Sequence, residues 1–310
     1  MTILSNDVGE KWNRHSTKAI KGICAILVML SHIFTQLSWA GFLSVGIFFA
    51  FSGYGLLYSW KIKTNYLDDF FQKRIVKVFI PFIISYIVSI ILHLMLGDGG
   101  TSDFVKDFVC LKFLPTSWYV IAIVVFYMAF YLIASSSKSE WKVFLEMIAF
   151  WIMYCLICII IKLDTFWYNS SFGFIIGMMG AIVDAKKFRI DKNKTRWKSW
   201  LSLAMVVLVL AALTSRHLVT DVLYSTALTS LTAIFVMSYE IKCDLLDRLG
   251  GISYEIYLIH PIVIYCVKQL KFGLWITALI IIILSVVIAS FWSCVLRWKY
   301  TWGGAKCKGV

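Results

Sequence analysis

The chain has 310 residues, 60% hydrophobic and 15% charged, with a mean hydropathy of +0.82. That balance excludes a soluble globular domain and fits an all-α, polytopic membrane protein, with room for about ten spans of about 20 residues. The formal net charge of +13 is first an orientation signal in such a chain, so nucleic acid is excluded as a partner and membrane lipid is expected.

Residues 1–19 are polar, carry Lys11, Arg14 and Lys18, and show no cleavage pattern after the first apolar run; an uncleaved cytoplasmic segment is expected there. Apolar runs bounded by charges or Gly/Asp/Ser clusters follow at 20–38, 41–60, 75–96, 117–135, 143–161, 166–183, 199–215, 219–239, 252–270 and 273–296. They predict ten helices in a single membrane domain over 20–298, followed by a cytoplasmic tail at 299–310. Assigning Lys and Arg to alternate sides puts 24 on one side and six on the other, the six being Lys106, Lys112, Lys162, Arg216, Lys268 and Lys271. Short cytoplasmic loops hold the excess, so both termini are expected in the cytoplasm. The longest outer connection, 97–116, starts as a turn and then places Phe104, Val105, Phe108, Val109 and Leu111 at helical spacing, which predicts a short amphipathic or re-entrant helix.

The first helix carries the residue most in need of explanation. Lys21 and His32 are eleven positions apart, which on an α-helix is about 16 Å of rise and within about 20° of one face. With Lys21 at a membrane surface, His32 falls near the middle of a hydrocarbon core of about 30 Å, where ionisable side chains are costly and point to function. Two roles are open: a general base, for which a neutral imidazole is suited near pH 7, or a structural imidazole hydrogen-bonded to a neighbouring helix. Lys21 by itself reads as a snorkelling lysine.

Further along, Ser52-Gly53-Tyr54 ends the run FFAF; glycine there allows close helix approach, and Ser52 and Tyr54 are either packing residues or a cavity wall. Arg74 and Lys77 are spaced i, i+3, so on a helix they can grip one anion, although they are also ordinary positive-inside residues. Trp118 and Tyr119 open the fourth helix and read as an interfacial aromatic belt. His260 lies about 8 residues into the ninth helix beside Pro261 and shares a face with Tyr257; a second histidine at similar depth suggests one cavity shared with His32, or a structural hydrogen bond. Cys155 and Cys158 have C-x-x-C spacing inside WIMYCLICIII, without the polar company a metal or redox site needs, so packing is expected and no metal. Asn169-Ser170-Ser171 matches a glycosylation sequon, a pattern short enough to arise by chance.

The ordered set resembles the acyltransferase family 3 membrane proteins, which O-acylate bacterial envelope glycans and related acceptors. It comprises Lys21-x10-His32, then FFAFSGYGLL, the basic cluster Arg74-Ile75-Val76-Lys77, Pro81, Ser117-Trp118-Tyr119 and SYEIYLIHP from Ser253 to Pro261. The family usually has two arginines where this chain has Arg74 and Lys77, and lysine lacks the bidentate fork. The resemblance implies a multi-pass protein of the bacterial cell membrane that moves an acetyl group from cytoplasmic acetyl-coenzyme A to a hydroxyl of a cell-surface polysaccharide or lipid-linked glycan. It implies His32 as the residue essential for transfer, either as the base that deprotonates the acceptor hydroxyl or as a transient carrier of the acetyl group, with Lys21, Arg74 and Lys77 at the donor, and Trp118 and Tyr119 on the acceptor path. The rival expectation is a transporter or lipid-linked glycan flippase, to which intramembrane histidines are equally natural; no related halves are visible in the sequence.

Overall fold

The structure, a computed structural model, describes residues 14–96, 114, 116–183, 226–232 and 241–304. Among them all regular structure is helical: α1 Arg14–Ile33, α2 Ser38–Ile62, α3 Lys77–Met95 entered through a π turn at Phe71–Val76, α4 Ser117–Ser135, α5 Glu140–Ile160, α6 Gly173–Ile182, α7 Asp244–Gly251, α8 Ser253–Lys268 and α9 Leu274–Gly304. Six of these helices are long and apolar enough to cross a membrane, or seven spans if α7 and α8 count as one. Ile83, Ile87, Ile91 and Leu94 on α3, Leu145, Ile152, Leu156 and Ile160 on α5, and Leu279, Ile283 and Val287 on α9 are all exposed. They recur every three or four residues, or multiples of that, and so form apolar stripes that water does not tolerate at this extent and that a bilayer does. The chain is a multi-pass membrane protein. Apart from a helical stretch at 226–232, the runs predicted at 199–215 and 219–239 lie outside the described residues, as do nearly all of the 97–116 connection and the basic run Lys186–Lys198.

Two boundaries differ from expectation. The first helix stops at Ile33 rather than continuing to 38; Phe34 is extended, a 3-10 turn covers Thr35–Leu37, and α2 begins at Ser38. The break falls where the apolar run of α1 gives way to the polar residues Thr35, Gln36 and Ser38. The sixth helix, expected over 166–183, is only Gly173–Ile182, about 15 Å long and half a hydrocarbon core. Its expected first turns are instead a 3-10 turn at Thr165–Trp167 and a polar corner. Asn169, Ser170 and Ser171 are buried there: Ser170 Oγ donates to the Phe42 carbonyl at 2.8 Å, and Trp151 Nε1 donates to Ser171 Oγ at 3.0 Å. A glycan cannot be carried by an asparagine so enclosed.

The chain forms two compact units. One comprises 1–24, 42–63 and 138–250; the other comprises 25–41, 64–137 and 251–310. In the first unit the close contact is between α2 and α6. A Cβ on Gly173 would strike the Gly46 carbonyl, one on Gly177 the Ala50 carbonyl, and one on Gly53 the Phe174 carbonyl. The steps 46 to 50 and 173 to 177 advance together, so the two helices run parallel with their backbones in contact. This is a G-x-x-x-G face on α6 set against a small-x-x-x-small face on α2, which in hydrocarbon is a main source of helix association. At the end toward which both helices run, Lys61 pairs with Glu140 and also donates to the Ala181 carbonyl at 3.2 Å.

In the second unit, Phe70 is fully buried, stacked on Phe130 at 6.2 Å and tilted against Tyr131 at 5.4 Å, which holds the π turn and the start of α3 against α4. The α8 helix packs on α3 and along α9. Tyr254 Oη donates to the Val78 carbonyl at 2.6 Å, fixing the entrance of α8 beside the first turn of α3.

The contact between α2 and α6 predicts that Gly177→Val lowers thermal stability in detergent by about 1–3 kcal/mol or prevents assembly, because the added carbon atoms meet backbone that cannot rotate away. Gly55→Ala, where an added Cβ meets nothing within 4 Å, is expected to leave the melting midpoint unchanged. Equal melting behaviour of the two variants contradicts a backbone contact at Gly177.

Candidate active site

The early end of α1 decides where His32 stands. It is in the last turn, one residue before the helix stops, and it is exposed rather than enclosed in mid-helix as the sequence suggests. The corner beyond it is tight: Gly41 passes directly against Ser31, whose Oγ donates back to the Val28 carbonyl at 2.7 Å, and Phe34 packs on Trp275 of α9 at 5.4 Å. These contacts fix the backbone at 31–34 and leave the His32 ring open on one side.

Its other side meets α8. The His32 and His260 rings stack with centroids 5.3 Å apart and an interplanar angle of 28°. His260 is fully buried, and its Nδ1 lies 3.1 Å from the Ile256 carbonyl. Pro261, with no N–H, removes a donor from the ladder just after His260 and leaves the Tyr257 carbonyl without its helical partner. Tyr257 lies edge-on to His260 at 5.8 Å, and its hydroxyl donates to the Thr116 carbonyl at 2.8 Å, at the cap of α4. Tyr119 packs against Tyr257 at 5.2 Å and Trp118 against Tyr119 at 6.1 Å. A continuous line of rings therefore runs Trp118, Tyr119, Tyr257, His260, His32. Five residues singled out separately in the sequence are one cluster within one unit, which can hold a polar or aromatic-stacking ligand and offers an imidazole at its open end.

The basic residues are arranged differently from the helical pair expected. Arg74 lies in the π turn and Lys77 begins α3. A π turn closes i to i+5 bonds, so each residue advances through a smaller angle and an i, i+3 pair is splayed wider than on an α-helix. Arg74 Nε donates to Tyr66 Oη at 2.9 Å, and the guanidinium lies 5.8 Å from the Tyr66 ring; this engages one of its five N–H donors. Lys73 pairs with Asp69 at 2.6 Å, while Lys77 is exposed. A guanidinium held by a phenol and an exposed ammonium three residues on can both serve phosphate recognition.

The remaining candidates belong to the first unit. Lys21 Nζ lies 5.5 Å from the Phe51 ring centroid, and Tyr54 stacks on Tyr58 at 5.4 Å. Ser52 is half-buried. Gly53 beside it is a helix-contact residue, which accords with a packing role for this stretch. Among the described residues no cluster of His, Cys, Asp and Glu is suited to a metal ion, and Cys155 and Cys158 are free thiols.

One residue escaped the sequence reading. His93, in the last turn of α3, stacks on Tyr265 of α8 at 3.9 Å, and its Nδ1 donates to the Ser89 carbonyl at 2.8 Å. The cost of an ionisable group in an apolar run, the argument applied to His32, applies to it equally and was the available signal.

No curated protein and no solved structure matches the chain. A family model described as an acyltransferase domain matches residues 14–298, nearly the whole chain, and includes every residue of the ring cluster and the basic turn. The resemblance carried by Lys21-x10-His32, the basic turn and SYEIYLIHP is thus a family relationship, and the chain belongs to acyltransferase family 3.

Proposed function

We propose that this membrane acyltransferase moves an acetyl group from cytoplasmic acetyl-coenzyme A to a hydroxyl of a cell-surface polysaccharide or a lipid-linked glycan in a bacterial cell membrane. The observation that carries the reading is the line of rings ending at His32, in a chain whose family transfers acyl groups. Arg74 and Lys77 bind the phosphates of coenzyme A; the Tyr66 hydroxyl bond supports this by pre-orienting the guanidinium. Trp118, Tyr119 and Tyr257 line the path of the glycan acceptor, whose sugar faces stack on aromatic rings.

His32 is the general base. Its nitrogen takes the proton of the acceptor hydroxyl as the oxygen attacks the thioester carbonyl; the carbon–sulfur bond then breaks, and the imidazolium returns the proton to the coenzyme A thiolate. The exposure of the His32 ring supports this role, since a base must reach its substrate. The topology that serves this chemistry is ten spans with both termini cytoplasmic, supported by the 24 to six division of Lys and Arg.

Three outcomes test the reading. In a background without the eight native cysteines, an impermeant maleimide applied to intact cells is expected to label Lys162→Cys and not Lys63→Cys; labelling of the latter overturns the topology. In a transfer assay with radiolabelled acetyl-coenzyme A, Arg74→Ala is expected to raise the apparent KM for the donor about ten- to a hundredfold, the effect of losing a charge-assisted contact of roughly 1.5–3 kcal/mol, and Lys77→Ala somewhat less. An unchanged KM reduces both to orientation signals. His32→Gln, which keeps one hydrogen bond but cannot exchange a proton near neutrality, is expected to lower kcat about a hundred- to ten-thousandfold at unchanged protein level. Near wild-type transfer by that variant removes His32 from the chemistry.

A further inference from the structure

The His32–His260 contact has a directional content that the stacking alone does not express. A neutral imidazole has one donor and one acceptor nitrogen. His260 Nδ1 faces the Ile256 carbonyl, which only accepts, so Nδ1 carries the hydrogen. Nε2 is then the lone-pair nitrogen, and it is buried without a hydrogen-bond partner. A buried acceptor left unmatched is unfavourable and calls for a donor.

The surroundings narrow the choice of donor. The neighbouring Tyr257 hydroxyl already donates to Thr116. Nε2 has almost no accessible surface, so a ligand hydroxyl reaches it only by displacing side chains. The His32 ring is already stacked on His260, exposed on its far side and attached in the last turn of a helix. Rotation about its χ2 is soft, because torsions of this sp³–sp² type have broad wells, and that rotation turns one ring N–H toward His260 Nε2.

We infer that His260 is a positioning residue that fixes the tautomer of His32: the His32 nitrogen facing His260 keeps its hydrogen and donates to Nε2, and the opposite nitrogen presents its lone pair to the acceptor hydroxyl. The order of donation is His32 N–H to His260 Nε2, then His260 Nδ1–H to the Ile256 carbonyl, so the orientation of the base is anchored in the α8 backbone. When His32 takes up the acceptor's proton, the bond to His260 becomes charge-assisted and stabilises the imidazolium. A base oriented by a further group is the general logic of activated nucleophiles. The inference rests on His32 being the base of the proposed transfer; the tautomer itself is measurable without any transfer.

The chain has five histidines, few enough for ¹⁵N-histidine labelling and two-bond ¹⁵N–¹H spectra in detergent micelles, with His32→Gln and His260→Phe used to assign the signals. The wild type is expected to show His260 as the Nδ1–H tautomer and His32 as one tautomer. His260→Phe keeps a ring for stacking and removes the acceptor; His32 is then expected to populate both tautomers, and kcat to fall about a hundredfold, the scale of a misplaced catalytic group, with the KM for acetyl-coenzyme A unchanged. His260→Gln restores an acceptor oxygen and is expected to recover about tenfold of that loss. A His32 that is mixed in the wild type, or that stays single in both His260 variants, overturns the inference. If His260→Phe does not fold, the His32 signal in His260→Gln decides it, a single tautomer supporting the inference and a mixture overturning it. A wild type that transfers nothing but shows the expected tautomers sinks the proposed transfer reading and leaves the hydrogen-bond assignment standing.

Discussion

Inside hydrocarbon there is no water to take up a polar group that the protein leaves unmatched, so each buried donor must find an acceptor on the chain itself. Where that requirement is met here, the acceptor is mainly a backbone carbonyl. Tyr257 reaches Thr116, Tyr254 reaches Val78, Ser170 reaches Phe42, and His93 and His260 each reach the carbonyl four residues earlier in their own helix. A carbonyl is fixed in direction by its helix, so every such bond sets a side chain's orientation as well as satisfying it. The line of rings leading to His32 owes its order to two of these anchors. Tyr257 is tied to the cap of α4 and His260 to the frame of α8, and the aromatic contacts between them follow.

Much of this was legible in the sequence because the cost of polar groups in apolar runs makes them conspicuous. His32 and His260 stood out for that reason, Tyr257 for sharing a face with His260, and Trp118-Tyr119 for its place at the head of an apolar run. What the sequence does not carry is the local break. The apolar pattern continues past Ile33 to Leu37 and Trp39, so periodicity extends the helix although it ends at Ile33. The same blindness lengthened the sixth helix: Phe166, Trp167 and Phe172 read as apolar, and the polar corner Asn169-Ser170-Ser171 between them was put down to chance. The G-x-x-x-G at 173–177 was present in the sequence, but its partner face at Gly46 and Ala50 lies far away in the chain, and only the fold pairs them.

The π turn before α3 shows how a small backbone change alters a site. On a regular helix, Arg74 and Lys77 would form a narrow clip suited to one anionic group. With one turn widened they are spread apart, and Tyr66 from the preceding loop takes a place against the guanidinium. Widened turns of this kind cost hydrogen-bond quality and are found most often where a helix carries function. Coenzyme A, the donor proposed above, has phosphates at separated positions rather than one compact anion, so spread cations would be no disadvantage to it.

The parallel pairing of α2 with α6 has a consequence for biogenesis. Parallel neighbours cannot be joined as a hairpin; the chain must complete α3, α4 and α5 before α6 emerges. At ribosomal speeds of about 5–20 residues per second, α2 waits on the order of ten seconds with its small-residue face turned to lipid or to a temporary companion. A face made of Gly46, Ala50 and Gly53 is well suited to that wait, since it offers lipid little to bind and no polar side chain to leave unmatched. The late partner then closes it by backbone contact, so the order of synthesis and the order of assembly need not coincide.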